Sequence, residues 1–140
     1  MPKLSVWLVR AALLHMGVGF LFGALILFHK GLPLYNWIWR LLNLHTELMI
    51  FGWTMQLVMG VAFFALPRLS GRDNRYGAEQ LGWWSFYLLN GGVILTAFGR
   101  WFTINILMLS GRFFVLIAVM LYVRMIWPRV KPFGGASASQ

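Results

Sequence analysis

Four ionisable residues stand within otherwise apolar stretches of the sequence: His15, His45, Glu47 and Arg112. A charged or polar side chain inside a bilayer is costly, so such residues are candidates for function. No two histidines are spaced to share a local metal site, and no nucleophile stands beside a base, so a hydrolase or a dedicated zinc site has little support. Isolated histidines on helices lined with glycine and methionine instead suit a bundle that holds haem through an axial imidazole.

The stretches that carry these residues are long enough to cross a membrane. Hydrophobic residues make up 60% of the 140 and charged residues only 11%, whereas a soluble domain carries about 25% charged residues. Apolar runs of about 20 residues recur, each matching a hydrocarbon core of about 30 Å. The runs are continuous and lack the alternation of a β-barrel strand, so the sequence predicts an all-α fold in contact with the lipid bilayer.

We predict a bundle of four transmembrane helices with both termini in the cytoplasm. The predicted spans are 11–28, 41–66, 81–99 and 106–127, in one domain over 1–133 that is followed by a disordered tail at 134–140. Basic residues near the helix ends set the orientation. Eight lie on the side of the termini (Lys3, Arg10, Arg68, Arg72, Arg75, Arg124, Arg129 and Lys131) and four on the other side (Lys30, Arg40, Arg100 and Arg112). His45 then lies near the outer surface of the cell inner (cytoplasmic) membrane, and His15 lies nearer the cytoplasm.

The net charge of +9 does not indicate a nucleic-acid partner. No cluster of basic residues lies on one amphipathic helix; the Lys and Arg residues stand at or near the helix ends, where anionic lipid headgroups attract them. Cysteine is absent, which excludes disulfides, a thiolate nucleophile and cysteine metal ligands.

The second predicted span carries a pattern that is similar to a known family. Residues 40–53, Arg-Leu-Leu-Asn-Leu-His-Thr-Glu-Leu-Met-Ile-Phe-Gly-Trp, resemble the second transmembrane helix of haem–copper oxidase subunit I, above all that of the cbb-type enzymes. The continuation from Gln56 to Arg68 and the closing residues 127–130 look like short four-helix proteins related to that subunit. In the oxidases the matching histidine is an axial ligand of the low-spin haem near the outer surface. The resemblance therefore implies haem b bound by His45.

The chain also departs from the oxidase subunit. It has far fewer helices, no trio of histidines for copper and no later helix to supply the opposite haem ligand. The sequence therefore contains no complete active site, and we do not expect this chain to reduce oxygen alone. Relatives often have histidine where Glu47 stands.

The two membrane histidines have different surroundings. Five residues share the face of His45 on a wheel of 3.6 residues per turn, a stripe that suits either a flat macrocycle or close helix packing: Met49, Gly52, Gln56, Met59 and Gly60. His15 should lie on the order of 12 Å nearer the cytoplasm, which makes a site where both bind one iron within a chain unfavourable. We expect His15 to serve a second haem or to make a polar contact between helices.

Other polar residues have two readings each. Arg40 and Arg100 stand at the outer surface, where they would bind haem propionates or lipid headgroups. Glu47 points roughly 200° away from His45 and would either pair with Arg112 or act as a proton-relay or metal-binding group. His29 is expected to be a solvated histidine at the interface, with a role as a ligand as the alternative.

These observations predict a membrane-integral b-type haem protein that transfers electrons, either as a homo-oligomer or as a subunit of a respiratory complex. The alternative is a cofactor-free structural or assembly subunit, and quinone binding near His15 or Glu47 is a third reading. A low-spin haem needs two axial ligands, so the second should come from another chain. The Gly19/Gly23 face offers a surface for close helix approach to that chain.

Overall fold

The computed structural model describes residues 1–33, 35–67, 76 and 78–130. All regular structure among these residues is helical, and the elements follow in chain order: α1 (Lys3–Gly31), a 3₁₀ turn (Asn36–Arg40), α2 (Leu41–Glu47), a π-helical segment (Leu48–Met55), α3 (Gln56–Ala65), α4 (Glu79–Phe102), α5 (Asn105–Ile126) and a second 3₁₀ turn (Trp127–Arg129). Prolines mark the breaks, since Pro33, Pro67 and Pro128 lie at or beyond helix ends, where a missing N–H is tolerated.

Within the part of the chain that the structure describes, four stretches are long and apolar enough to cross a membrane, which confirms the predicted four-span, all-α fold: Lys3–Gly31, Asn36–Ala65, Glu79–Phe102 and Asn105–Arg129. The first span begins well before the predicted residue 11. Lys3 and Arg10 lower the hydropathy of that region, but Leu4 and Leu8 are fully buried in the bundle and Ser5 bonds across to Gly60. Burial of one face thus extends the helix beyond the purely apolar run.

The bundle consists of two antiparallel helix pairs. The first span packs along the second span, and α4 packs along α5. The two pairs meet where α2 and the π-helical segment, which are both part of the second span, contact α4. The turn between α4 and α5 is tight: Thr103 adopts the left-handed conformation with φ 58°, and Ile104 N–H donates to Gly99 O at 2.8 Å. Because this turn is short, α4 and α5 remain in contact along their length.

The two ends of the bundle can be told apart from the contacts. Leu4, near the start of α1, lies beside Gly82 near the start of α4 and Met125 near the end of α5. Both ends of the described chain are therefore on one side. At the opposite end the rings of Trp37 and Trp101 are 6.1 Å apart, as expected for an aromatic belt. The side that faces the cytoplasm stays a prediction from charge. Between residue 67 and residue 78 only Tyr76 is described, and the predicted disordered tail at 134–140 lies outside the described residues.

Arg129 is buried in the bundle, whereas the sequence predicts that it contacts lipid headgroups. It is 1% exposed, and its guanidinium donates to Phe63 O at 2.8 Å, Leu66 O at 2.6 Å and Pro67 O at 3.0 Å. These carbonyls belong to the C-terminal end of the second span, where the last carbonyls of a helix lack intrahelical donors. Arg129 thus caps that helix and ties the chain's last described turn to the bundle.

Candidate functional site

His45 lies in α2, and its ring packs against α1. Nδ1 is 2.7 Å from the carbonyl oxygen of Gly19. Because a carbonyl can only accept, Nδ1 carries the proton and donates it, which leaves Nε2 with a free lone pair. A Cβ on Gly23 would come within 2.9 Å of His45 Cε1, so this close approach requires glycine.

The hydrogen bond of His45 has two possible uses. Histidines that bind metals commonly donate the other ring N–H to a backbone carbonyl, which fixes the tautomer and the ring orientation. The same bond also joins two membrane helices in proteins without cofactors. The ring is half-buried. Its geometry is therefore suitable for an axial ligand through Nε2.

The face that His45 shares with its stripe is occupied within the chain. Met49 packs against Gly19, and Gly60 packs against Leu8 and Val9 of α1. Of the two uses expected for this stripe, helix packing is the one that the structure shows. A macrocycle does not fit between α1 and the second span of the same chain, and haem at His45 would have to lie on the outer surface of the helix pair.

The Gly19/Gly23 face is also covered from within the chain. Met49 lies over Gly19 and the His45 ring lies over Gly23. The expectation that this face receives another chain is therefore wrong. The small residues admit the helix that follows α1 in sequence, and an antiparallel neighbour joined by a short loop reaches that face first.

His15 faces the same interface at a different depth. Its ring lies against Gly52, where an added Cβ would be 2.7 Å from His15 Cγ, and Gln56 adjoins it. His45 instead contacts Gly23, which is eight residues beyond His15 on α1 and thus on the order of 12 Å further along the helix. The structure therefore does not bring the two histidines together. A role for His15 at a second haem stays a prediction.

Glu47 forms the predicted pair with Arg112. It is 2% exposed, and its Oε2 accepts a hydrogen bond from Arg112 Nη2 at 2.7 Å. Arg100 Nε lies 3.7 Å from the same oxygen, and the Arg112 guanidinium is 4.5 Å from the centre of the Phe51 ring. Glu47 thus points towards α4 and α5, away from His45, as the helical wheel predicts.

The remaining polar residues at the end of the bundle opposite the termini depart in part from expectation. Arg100, expected to meet propionates or headgroups, faces Glu47 because α4 packs against α2. Arg40 is exposed at the end of the 3₁₀ turn, so both of its readings stay open. His29 is not solvated: it is 3% exposed, and the Trp39 ring lies edge-on at 6.0 Å. The 3₁₀ turn places Trp39 beside it.

Two surface grooves lie near the end of the bundle opposite the termini. One of about 530 Å³ follows α5 and is lined by Ile106, Leu109, Ser110, Arg112, Phe113 and Leu116. The other, of about 210 Å³, is lined by Leu44, Ala97, Phe98, Trp101 and Phe102. Neither is lined by His45 or His15.

Within the described part of the chain, no group of three or more His, Cys, Asp or Glu residues could hold a metal ion. Haem differs from a bare ion in this respect, since the macrocycle brings four nitrogen ligands and the protein adds only the axial ones. His45 therefore fits one side of a haem iron, whereas no second histidine lies at its level among the described residues.

Comparison of the chain with protein-family models, with curated proteins and with solved structures gave no match.

The sequence does not predict the burial of Gln56 or the capping role of Arg129. Gln56 belongs to the stripe that shares the face of His45, and its side chain is fully buried. A glutamine in the middle of an apolar run of membrane-spanning length is itself a signal, because hydrocarbon offers no hydrogen bonds. The role of Arg129 had no comparable signal, since basic residues near span ends are common.

Proposed function

We propose that the protein is a membrane-integral b-type haem protein of the inner (cytoplasmic) membrane that transfers electrons, with His45 as an axial ligand. The observation that supports this most is the bond from His45 Nδ1 to Gly19 O. It fixes the tautomer that leaves Nε2 free for iron and holds the ring in place. The resemblance of residues 40–53 to a haem-binding helix adds an independent argument.

The chain supplies one half of the proposed site. One side of the His45 ring is taken by α1, so the haem would lie on the membrane-facing side of the second span. The exposed residues of the second span near His45 are Leu42, Asn43, Thr46 and Ile50, two apolar and two polar. The opposite face and the second axial ligand come from another chain, either a second copy or another respiratory subunit.

Haem iron, when bound, supplies one-electron redox chemistry. The chain would contribute a ligand to the haem iron and the protein surroundings of the haem. The Gly19 carbonyl accepts the His45 N–H and so raises the basicity of the ligand. The position of His45 within a membrane span would limit the access of water, which is one of the factors that set the reduction potential of a haem.

Ligand rescue tests the proposal. The purified protein should show the reduced α and Soret bands of a b-type haem, and His45→Ala should lose them. Added imidazole should enter the space left by the ring and restore the bands, which separates loss of a ligand from loss of the fold. His29→Phe, which keeps an aromatic ring beside Trp39, serves as the matched control and should retain the spectrum. Bands that persist in His45→Ala without imidazole would contradict the assignment.

One observation favours a second candidate, a cofactor-free structural or assembly subunit. Residues of α1 pack against Met49 and Gly52, and His45 makes its hydrogen bond to Gly19 O without any ligand. In that case wild-type protein from haem-replete cells would carry no haem, and His45→Ala would lower thermal stability through the lost interhelical bond.

A further inference from the structure

Polar side chains between the helices of this bundle have partners. Ser5 Oγ donates to Gly60 O at 2.7 Å, Ser85 Oγ donates to Ala118 O at 2.7 Å, and Tyr122 Oη donates to Met59 O at 2.5 Å. Each hydroxyl thus joins its helix to a backbone carbonyl of another. This is expected in a membrane, where no solvent satisfies a polar group that the protein leaves unbonded.

Gln56 and His15 depart from this pattern. Gln56 is 0% exposed, and although its side chain lies beside the His15 ring, neither Oε1 nor Nε2 makes a hydrogen bond of regular geometry. His15 Nδ1 is likewise buried without such a bond. Among the described residues, Gln56 is the one side chain whose oxygen and nitrogen are both left in this state. Burial of an amide without well-formed hydrogen bonds is unfavourable, so a small polar molecule that bonds to these atoms would stabilise the site.

The two side chains form one site because the backbone brings them together. Gly52 lies one turn before Gln56, and it admits the His15 ring because it has no Cβ. Gln56 adjoins that ring. Gln56 is also the first residue after the π-helical segment, and such segments occur frequently at functional sites. The side chains of His15 and Gln56 therefore lie together at the contact of α1 with the second span.

We propose that His15 and Gln56 form an internal water site within the membrane. A water molecule accepts from Gln56 Nε2–H and donates one hydrogen to Gln56 Oε1 and the other to His15 Nδ1, which gives the roughly three hydrogen bonds that buried waters typically make. The enclosure of Gln56 selects a small ligand. A metal ion is disfavoured because no cluster of ionisable ligands occurs among the described residues. The site does not depend on haem at His45.

Magnetisation transfer from water to side-chain amides tests the site directly. Protein labelled with ¹⁵N-Gln and ¹⁵N-Asn is placed in nanodiscs of deuterated lipid, and Gln56→Met assigns the Gln56 signal. We expect a water cross-peak at the Gln56 amide. The matched control is Asn90, whose Nδ2 donates to Phe86 O at 2.8 Å; it should show none. A Gln56 amide without a water cross-peak, or one no stronger than that of Asn90, would overturn the proposal.

Thermal stability gives a second test, in which the direction of the change in melting temperature decides between the two cases. Methionine has the shape of glutamine without its polar atoms. If water bridges the amide to His15, Gln56→Met removes the bridge and lowers the melting temperature by about 3–8 °C. Gln80→Met, at an exposed position of α4, should leave it unchanged. A melting temperature that is equal to or above the wild-type value in Gln56→Met would show that the amide was buried without a ligand and would refute the site.

Discussion

Glu47 and Arg112 form an ion pair whose two halves are buried to different extents. The side chain of Glu47 is 1% exposed, whereas that of Arg112 is 36% exposed, and the two are joined at 2.7 Å. Removing one partner of a buried pair is costly because the remaining charge stays in a medium of low polarity. We therefore predict that Glu47→Gln and Arg112→Gln both destabilise the protein, but unequally.

The expected magnitudes follow from what each variant leaves behind. Arg112→Gln leaves a fully enclosed carboxylate with only Arg100 at 3.7 Å, so the free energy of unfolding should fall by about 3–4 kcal/mol. Glu47→Gln leaves Arg112 over the Phe51 ring, where it retains a cation–π contact and can extend towards the headgroups. Its loss should be about 1–2 kcal/mol. The double variant removes both charges and should be no worse than Arg112→Gln alone.

Equilibrium unfolding in mixed micelles with increasing SDS, followed by tryptophan fluorescence, measures these changes. The double-mutant cycle should give a coupling energy of about 1–3 kcal/mol. Arg124→Gln, at an exposed position of the same helix, is the control and should change stability by less than about 0.5 kcal/mol. The reasoning is refuted if the two single effects add within about 0.5 kcal/mol, or if Glu47→Gln costs more than Arg112→Gln.

Three further predictions follow from the glycine contacts and the charge pattern. Gly92→Ala should destabilise the bundle, because the new Cβ would lie 2.7 Å from Gly111 O, whereas Gly91→Ala, which meets nothing within 4 Å, should be neutral or stabilising; equal unfolding midpoints would contradict the α4–α5 contact. Gly23→Ala should displace the His45 ring and reduce the Soret band, while the open position Gly17→Ala should not; equal spectra in the two variants would argue against this placement of the ring. Both termini are predicted to be cytoplasmic, so a C-terminal phosphatase fusion should be inactive, and periplasmic activity would show the inverted orientation.

Much of the fold could be predicted because a membrane restricts the choices. Apolar length alone identified four spans, and the helical period placed Glu47 opposite His45. The match in depth between Glu47 and Arg112 then gave the ion pair that the structure contains. These predictions use quantities that are local in sequence: hydropathy, rise per residue and angle around one helix.

The missed features depend on which surface each helix presents to its neighbour. Gly19 and Gly23 signal close packing, but their spacing does not say whether the partner is the next helix or another chain. His29 is buried because the 3₁₀ turn places Trp39 beside it, a contact that hydropathy does not encode. Arg129 counts as a headgroup anchor until the bundle closes and the carbonyls at the end of the second span lie within its reach.

The central claim is that His45 holds a haem whose other side is completed by a second chain. The most direct test is the visible spectrum and haem content of the wild-type protein, purified in mild detergent from haem-replete cells and separated by oligomeric state. We predict haem b with a six-coordinate, low-spin spectrum in the oligomeric or complexed fraction, and five-coordinate or no haem in the monomer. Wild-type protein without a Soret band in any fraction, or a monomer with the six-coordinate low-spin spectrum, would contradict this account.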